Sequence, residues 1–217
     1  MRSDTPEIRL VVFDLGRVLM RICNDWVEAC RRAQIEVPQE QLDPEAEAVL
    51  HEIARRNDVG EINMDGFISA AGPILGLTAA QVRAMSHAYL YAPFPGGVEL
   101  IEELHARGLF TACLSNTNDS HWGIMNDPAE AAHFPLHRLN HRFASHLVGA
   151  RKPDAAIYVH VERETGVGPA AILFFDDVVE NVEAAAKRGW KAHRVDPRSE
   201  NPIPAIRLEL LRRHVLR

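Results

Sequence analysis

The runs that most constrain this chain are short, wholly apolar and closed by polar residues. In "RLVVFD" four apolar residues, Leu10 to Phe13, lead straight into Asp14. A strand without polar alternates has both faces buried, as in a parallel sheet covered on both sides by helices. The pattern returns over 109–116 ("LFTACLSN") and 170–177 ("AAILFFDD"), and in shorter form over 191–196 ("KAHRVD"). Helical patterns lie between the runs. "GVELIEELHARG" carries apolar Val98, Leu100, Ile101 and Leu104 at helical spacing and ends at Gly108, and "VVENVEAAAKRGW" is closed by Gly189. Glycine commonly stands just past the last turn of a helix. The alternation predicts an α/β fold with a mostly parallel sheet.

A long interruption follows the first strand. Residues 21–92 read as helices only, in four pieces: "NDWVEACRRAQI", "PEAEAVLHEIARR", "NMDGFISAAGPIL" and "TAAQVRAMSHAYL". Thr78 with Gln81 three residues on is a capping-box signature, and "APFPGG" marks the return to the sheet. The expected organisation is a core of residues 1–20 and 93–217, with a helical cap of residues 21–92 over the carboxyl end of the sheet. The tail "AIRLELLRRHVLR" is an amphipathic helix expected to dock on the core.

Composition narrows the function classes. With 47% hydrophobic and 25% charged residues in 217, the chain is that of a globular protein. Its 24 basic and 30 acidic residues are mixed along the sequence, so no basic block offers a footprint for nucleic acid or a membrane surface. Cys23, Cys30 and Cys113 lack a C-x-x-C spacing and are expected to be free thiols. No signal-like or membrane-spanning apolar segment is legible, so the expected compartment is the cytoplasm.

Three strands end in groups that can do chemistry: Asp14, then Ser115 with Asn116, then Asp176 with Asp177. In an open α/β sheet the carboxyl ends of neighbouring strands share one crevice, where these groups can meet. Taken singly, each is an ordinary turn or cap residue; the set of three points to a site. "GARKPDAAIY" adds Lys152. Alone, that stretch is a helix start with Pro153 in its first turn and a solvated lysine; beside the strand ends, it supplies a cation for an anionic substrate. His133, His137 and His141 recur every fourth residue, but Pro135 interrupts the helix a metal pair would need. Trp26, Trp122 and Trp190 are scattered and read as packing residues.

Taken in order, "FDLGRVL", "LSNTN", "GARKPDAAIY" and "FFDDVVENVEAAAKRGW" resemble the four motifs of the haloacid dehalogenase superfamily. The sequence is most similar to members with a helical cap inserted after the first motif. The resemblance implies a doubly wound, Rossmann-like core. It also implies a magnesium-dependent phosphatase acting on a small phosphate ester, with sugar phosphates among the candidates. On that resemblance Asp14 is the nucleophile, forming an aspartyl-phosphate. Ser115 and Asn116 hold phosphate oxygens, and Lys152 neutralises charge on the transferring group. Asp14, the Gly16 carbonyl, Asp176 and Asp177 are the expected ligands of Mg2+. The cation's preference for oxygen donors and the reliance of phosphoryl transfer on charge neutralisation agree with this assignment.

Two positions depart from the pattern. Phosphatases of the superfamily usually carry a second aspartate two residues after the first, as acid and base; here that position is Gly16. General acid–base help is worth ~10²–10⁴-fold. Candidates to replace it are Asp25, His87, a water or the substrate itself, and an acidic leaving group would need little replacement. Glycine at this position also occurs in sequences resembling bacterial sugar-1-phosphate phosphatases. Arg17 stands where glycine or asparagine is common. Either it adopts a left-handed turn or the turn does not need one, and its guanidinium is a candidate contact for an anionic substrate. Two other readings remain open. A dehalogenase-type hydrolase attacking carbon needs neither the acid nor the metal, and the Asp176–Asp177 pair argues against it. A non-catalytic phosphate-ester-binding protein would have kept the pocket and lost turnover.

Overall fold

The four apolar runs form parallel strands of one sheet, as they predict, and a fifth strand joins them at one edge. The structure, a computed structural model, describes residues 7–38 and 41–217; residues 1–6, at the start of the N-terminal segment read for a leader, lie outside the described residues. Strands β1 (Leu10–Phe13), β4 (Phe110–Ser115), β5 (His141–Ala144), β6 (Ile172–Asp176) and β7 (Lys191–Arg194) are all parallel, in the order β5-β4-β1-β6-β7. The chain winds outward from β1 through β4 to β5, then crosses back to β6 and β7. The crevice between β1 and its two neighbours is therefore the topological switch point, where such sheets bind ligands. Register is tight there: Phe13 pairs with Cys113 on one side and Phe175 on the other.

Because side chains alternate across a strand, the two faces of β1 seed two cores. Val11 and Phe13 pack with helix α5 (Gly97–Ala106, through Leu100, Ile101 and Leu104), α6 (Asp119–Asn126, through Met125) and α10 (Ile203–Arg212, through Ile206 and Leu210). Leu10 and Val12 pack with α8 (Ala155–Thr165, through Ile157, Tyr158 and Val161) and α9 (Val179–Lys187, through Ala185). Trp190 belongs to this second core, edge-on to both Tyr158 and Phe174. The tail docks as expected. The short α7 (Ser145–Val148) follows β5 directly.

Between β1 and β4 the chain forms helices α1 (Trp26–Arg32), α2 (Pro44–Asp58), α3 (Met64–Leu75) and α4 (Ala79–Ala88). Each begins at a side-chain cap: Asp25, Asp43, Asn63 and Thr78, the last in a complete capping box with Gln81. They share a core of their own that includes Cys30, Ile68, Leu75, Val82 and Met85. The insertion is not helical to its ends. Strands β2 (Met20–Ile22) and β3 (Leu90–Pro93) pair antiparallel as a two-stranded ribbon, Met20 opposite Pro93 and Arg21 opposite Ala92. The boundaries expected at Arg21 and Ala92 thus fall inside strands. Three residues are too few to show a period, which hid β2 from the sequence.

Helix α2 ends against the core. Its last residue's carbonyl, that of Asp58, accepts the Ser145 hydroxyl, and Gly60 follows at φ 75°. A Cβ on Gly60 would lie 2.6 Å from the His146 carbonyl oxygen, so only glycine allows the approach. His141, partly buried, opens strand β5 and stacks on Phe143. One further expectation is corrected. Pro153 precedes α8 rather than sitting in its first turn, since the N-cap is Asp154. No helix among the described residues is long and apolar enough to cross a membrane. Cys23, Cys30 and Cys113 are free and buried.

Candidate active site

Parallel register brings the predicted groups together. Asp14 follows β1, and its amide donates to the Phe175 carbonyl of β6 (2.8 Å). Asp176 ends β6 and Asp177 follows it. Asp14, Asp176 and Asp177 each offer an oxygen, and the three atoms lie within 4.8 Å of one another. Lys152 reaches into this group: its Nζ is 2.7 Å from Asp14 Oδ1 and 2.7 Å from Asp176 Oδ2, with 1% of the side chain exposed. The solvated lysine of the isolated helix-start reading is therefore replaced by a buried cation.

The surroundings hold each group in place. Asn116 clamps the lysine loop: its Nδ2 donates to the Lys152 carbonyl (2.9 Å) and its Oδ1 accepts the Lys152 amide (2.8 Å). Its carboxamide thus orients Lys152. Ser115, ending β4, is buried beside these groups. Asp176 is fully buried and accepts from Lys152, from the Val178 amide (2.8 Å) and from Asn181 Nδ2 (3.1 Å to each oxygen). Asn181 was not singled out in the sequence. Its position in the first turn of the helix following "FFDD" is the signal that could have found it. Tyr158 in turn donates to the Asn181 carbonyl (3.0 Å).

Arg17 does adopt the left-handed turn, at φ 56°. Its guanidinium is 3.5 Å from Asp177 Oδ2 and donates to the Cys23 and Asn24 carbonyls (3.3 and 3.4 Å). These bonds join the first motif to the loop entering α1 and offset part of the cost of the backbone angle.

Electrostatics follow from crowding. Burial pushes the Asp14 carboxyl up to about 7, against the pull of Lys152 and with help from Asp176 and Asp177. Burial also raises Asp177, with the Asp176 charge adding to it. Burial works against charge on Lys152, but Asp14 and Asp176 outweigh it and leave the ammonium above its ordinary value. Three carboxylates face two cations, Lys152 and Arg17, so the ionised site carries one excess negative charge. A hard divalent cation fits such a donor set: all oxygen, closely spaced and short of positive charge. Among the described residues no amide donates to the Gly16 carbonyl, which leaves it available as a further oxygen.

The vacancy left by the missing aspartate is filled. A Cβ on Gly16 would lie 2.8 Å from Ile22 Cδ1. Both candidate replacement acids already hold a partner. Asp25 caps α1 by accepting the Glu28 amide (2.7 Å), and lines the cavity described next. His87 is exposed and pairs with Glu130 (3.0 Å). A cavity of about 780 Å³ lies between the inserted helices and the strand ends, bounded by Ile22 and Asn116. Half-buried His121, unnoticed in the sequence, lies on its wall. Its Nε2 is 2.9 Å from the Ser86 carbonyl and its ring stacks on Tyr89, so it pins α4 to α6. Burial lowers its pKa.

An aspartate at the end of a central parallel strand, a buried lysine and an acidic pair on the next strand define a hydrolase-type site at the mouth of an α/β sheet. The chain belongs to the haloacid dehalogenase-like hydrolase family, whose family model matches residues 8–189. It is 34% identical to phosphatase MT3486 of Mycobacterium tuberculosis over 104 residues, 48% of this chain and 46% of that protein. It is 27% identical to the sesquiterpene phosphatase astK of Aspergillus oryzae over 132 residues, 60% of this chain and 65% of that one. The chain thus spans about half to two thirds of the length of these relatives. In fold it is similar to the family enzyme bt-2542 of Bacteroides thetaiotaomicron, crystallised with magnesium and inorganic phosphate. The TM-score is 0.72 at 21% identity, covering 89% of this chain and 96% of that one.

Proposed function

We propose that the protein is a magnesium-dependent phosphatase that cleaves a small phosphate monoester through a phosphoryl group carried on Asp14. The observation that carries this reading is the triad of carboxylate oxygens within 4.8 Å around the buried ammonium of Lys152. Asp14, Asp177, Asp176 and the Gly16 carbonyl would hold Mg2+, which when bound supplies positive charge to the phosphate oxygens. A metal-independent dehalogenase has no use for that acidic pair.

Each residue then has a task. Lys152 takes Asp14 Oδ1, leaving Oδ2 to attack phosphorus in line. The new bond joins Asp14 to phosphorus, and the ester P–O bond breaks with its electron pair on the alcohol oxygen. Lys152 and the Ser115 hydroxyl face charge on the transferring group. Water then attacks phosphorus, releases phosphate and restores the carboxylate. Asn116 and Asn181 are positioning residues that fix Lys152 and Asp176. The helices α1–α4 act as a cap that shields the intermediate. With no side chain at Gly16, the alcohol takes its proton from Asp25 on the cavity wall, from solvent or from the substrate, and rates depend steeply on leaving-group acidity.

The test is phosphate release from aryl and alkyl esters, with magnesium and with chelator, on the wild type and on Asp14→Asn. Magnesium-dependent release lost in the variant is expected. Ester binding without turnover in every case would turn the reading to the non-catalytic binding protein, and halide release from haloacids without metal would turn it to the dehalogenase.

A further inference from the structure

The cavity over the strand ends restricts the alcohol that can leave, and the inference rests on the phosphatase reading. We infer that the leaving group is an uncharged, largely apolar alcohol with no second anionic group. Three observations converge. First, Trp26, Leu50, Phe67, Leu75 and Met85 give the cavity an apolar wall facing the polar strand ends. Second, no lysine or arginine is among the described residues lining it, whereas Asp25, Glu47 and Asp58 are. A second phosphate or a carboxylate seated in this cavity would lose water beside like charges and meet no cation on its wall. Third, several of the polar side chains on its wall are already engaged. His121 is bonded to the Ser86 carbonyl, Asn118 Oδ1 to the His121 amide (3.0 Å), Asn57 Nδ2 to the Ile62 carbonyl (2.9 Å), and Asn116 to Lys152. Sugar hydroxyls entering there would give up water for few new hydrogen bonds. An apolar chain loses nothing by the exchange and gains burial.

The cavity is adjacent to the chemistry. Ile22 borders it and lies where a side chain on Gly16, two residues beyond Asp14, would begin, and Asn116, also on its wall, directly follows Ser115. Of the two cavities that meet Ile22, this one also reaches the strand end at Asn116, and the alcohol is assigned to it; the other, of about 600 Å³ and lined by Arg17 and Arg21, does not.

The experiment uses straight-chain alkyl phosphates from butyl to octyl, which share one leaving-group acidity, and the matching non-hydrolysable alkylphosphonates. kcat/KM is measured for the esters, and binding of the phosphonates by calorimetry in magnesium. Each added methylene should improve both by about three- to fourfold until the wall is covered, the factor for burying one CH2. A terminal carboxylate on the longest ester should reduce kcat/KM at least tenfold. Leu50→Lys, on the half-buried wall of α2, should flatten the series and relieve the carboxylate penalty. Turnover of an aryl phosphate with a flat alkyl series, or with equal acceptance of the carboxylated ester, overturns the inference and leaves the phosphatase reading standing. A rising phosphonate series with no turnover of any ester overturns the phosphatase reading, and the assignment of a leaving group with it.

Discussion

Asp58 is a carboxylate that the fold buries without giving it a full partner. It ends α2, and its nearest cation is Arg151, 3.5 Å away at Nη2. Arg151 Nε is itself buried and has no hydrogen-bond partner among the described residues. Burial, only partly offset by Arg151, pushes the Asp58 carboxyl from 3.8 up to about 6. At about 1.4 kcal/mol per pKa unit, that shift corresponds to about 3 kcal/mol between the protonated and ionised limits. Since 21% of the Asp58 side chain meets solvent, the expectation is trimmed to about 2 kcal/mol. The folded pKa is raised, so the contribution to stability is fully present below the unfolded value of 3.8. It is lost as pH rises through about 6. Asp58→Asn removes the titration while keeping the backbone carbonyl that accepts Ser145. Urea unfolding with chelator should therefore find the variant more stable than wild type by about 2 kcal/mol at about pH 8, and nearly equal at about pH 4. In thermal scans the gain at high pH is about 4–8 °C for a chain of this size. Arg151→Met, which removes the offsetting cation, should steepen the pH dependence of the wild-type carboxyl. A variant destabilised equally at both pH values would refute the reasoning and make Asp58 a net favourable ion-pair partner.

Other consequences are as direct. Asp14→Asn should lower phosphate release by at least about 10³-fold with an unchanged circular dichroism spectrum, because it removes the nucleophile and not its neighbours. Magnesium at about 100 times its Kd should stabilise the protein by about 2.7 kcal/mol, read as a rise in melting temperature, and Asp177→Asn should abolish that rise. Gly16→Asp alone should cost about 1 kcal/mol or less in denaturant unfolding, because the Ile22 terminal methyl it meets can turn aside. Combined with Ile22→Ala it should speed alkyl esters by about 10²-fold or more while aryl esters change little, the signature of a restored acid. Asn181→Ala should destabilise by about 1–3 kcal/mol, since Asp176 then sits buried with fewer donors.

Much of the site was legible because the parallel sheet turns sequence order into spatial order. Each apolar run delivers its final polar residue to the same edge, so Asp14, Ser115 and Asp176 needed no coordinates to be grouped. Lys152 was legible only in company, since an isolated "KPD" looks like a helix start. Three things escaped. Strand β5 starts at His141 and carries Arg142, so its first half looks polar; it is an edge strand, open on one side, and its pattern could not match that of the central strands. The packing of Ile22 against Gly16 depends on the ribbon, whose three-residue strand β2 is too short to be periodic. Asn181, Asp58 and His121 act through contacts between elements far apart in the chain, and no local pattern marks such contacts.

The ribbon of β2 and β3 has a consequence for what this architecture can become. The chain leaves the sheet and returns to it through two hydrogen-bonded neighbours, Arg21 opposite Ala92, so the two ends of the excursion lie side by side at the spacing of paired strands, about 5 Å. Everything between them has its own caps and its own core. From the sheet's side, the excursion is a socket with a fixed two-pin fitting. A different helical unit with adjacent ends could be seated there without altering the register of β1, β4 or β6. On the proposed function the chemistry and the choice of substrate fall to separately replaceable parts of one polypeptide, meeting at Ile22, which borders the cavity and lies where a Gly16 side chain would begin.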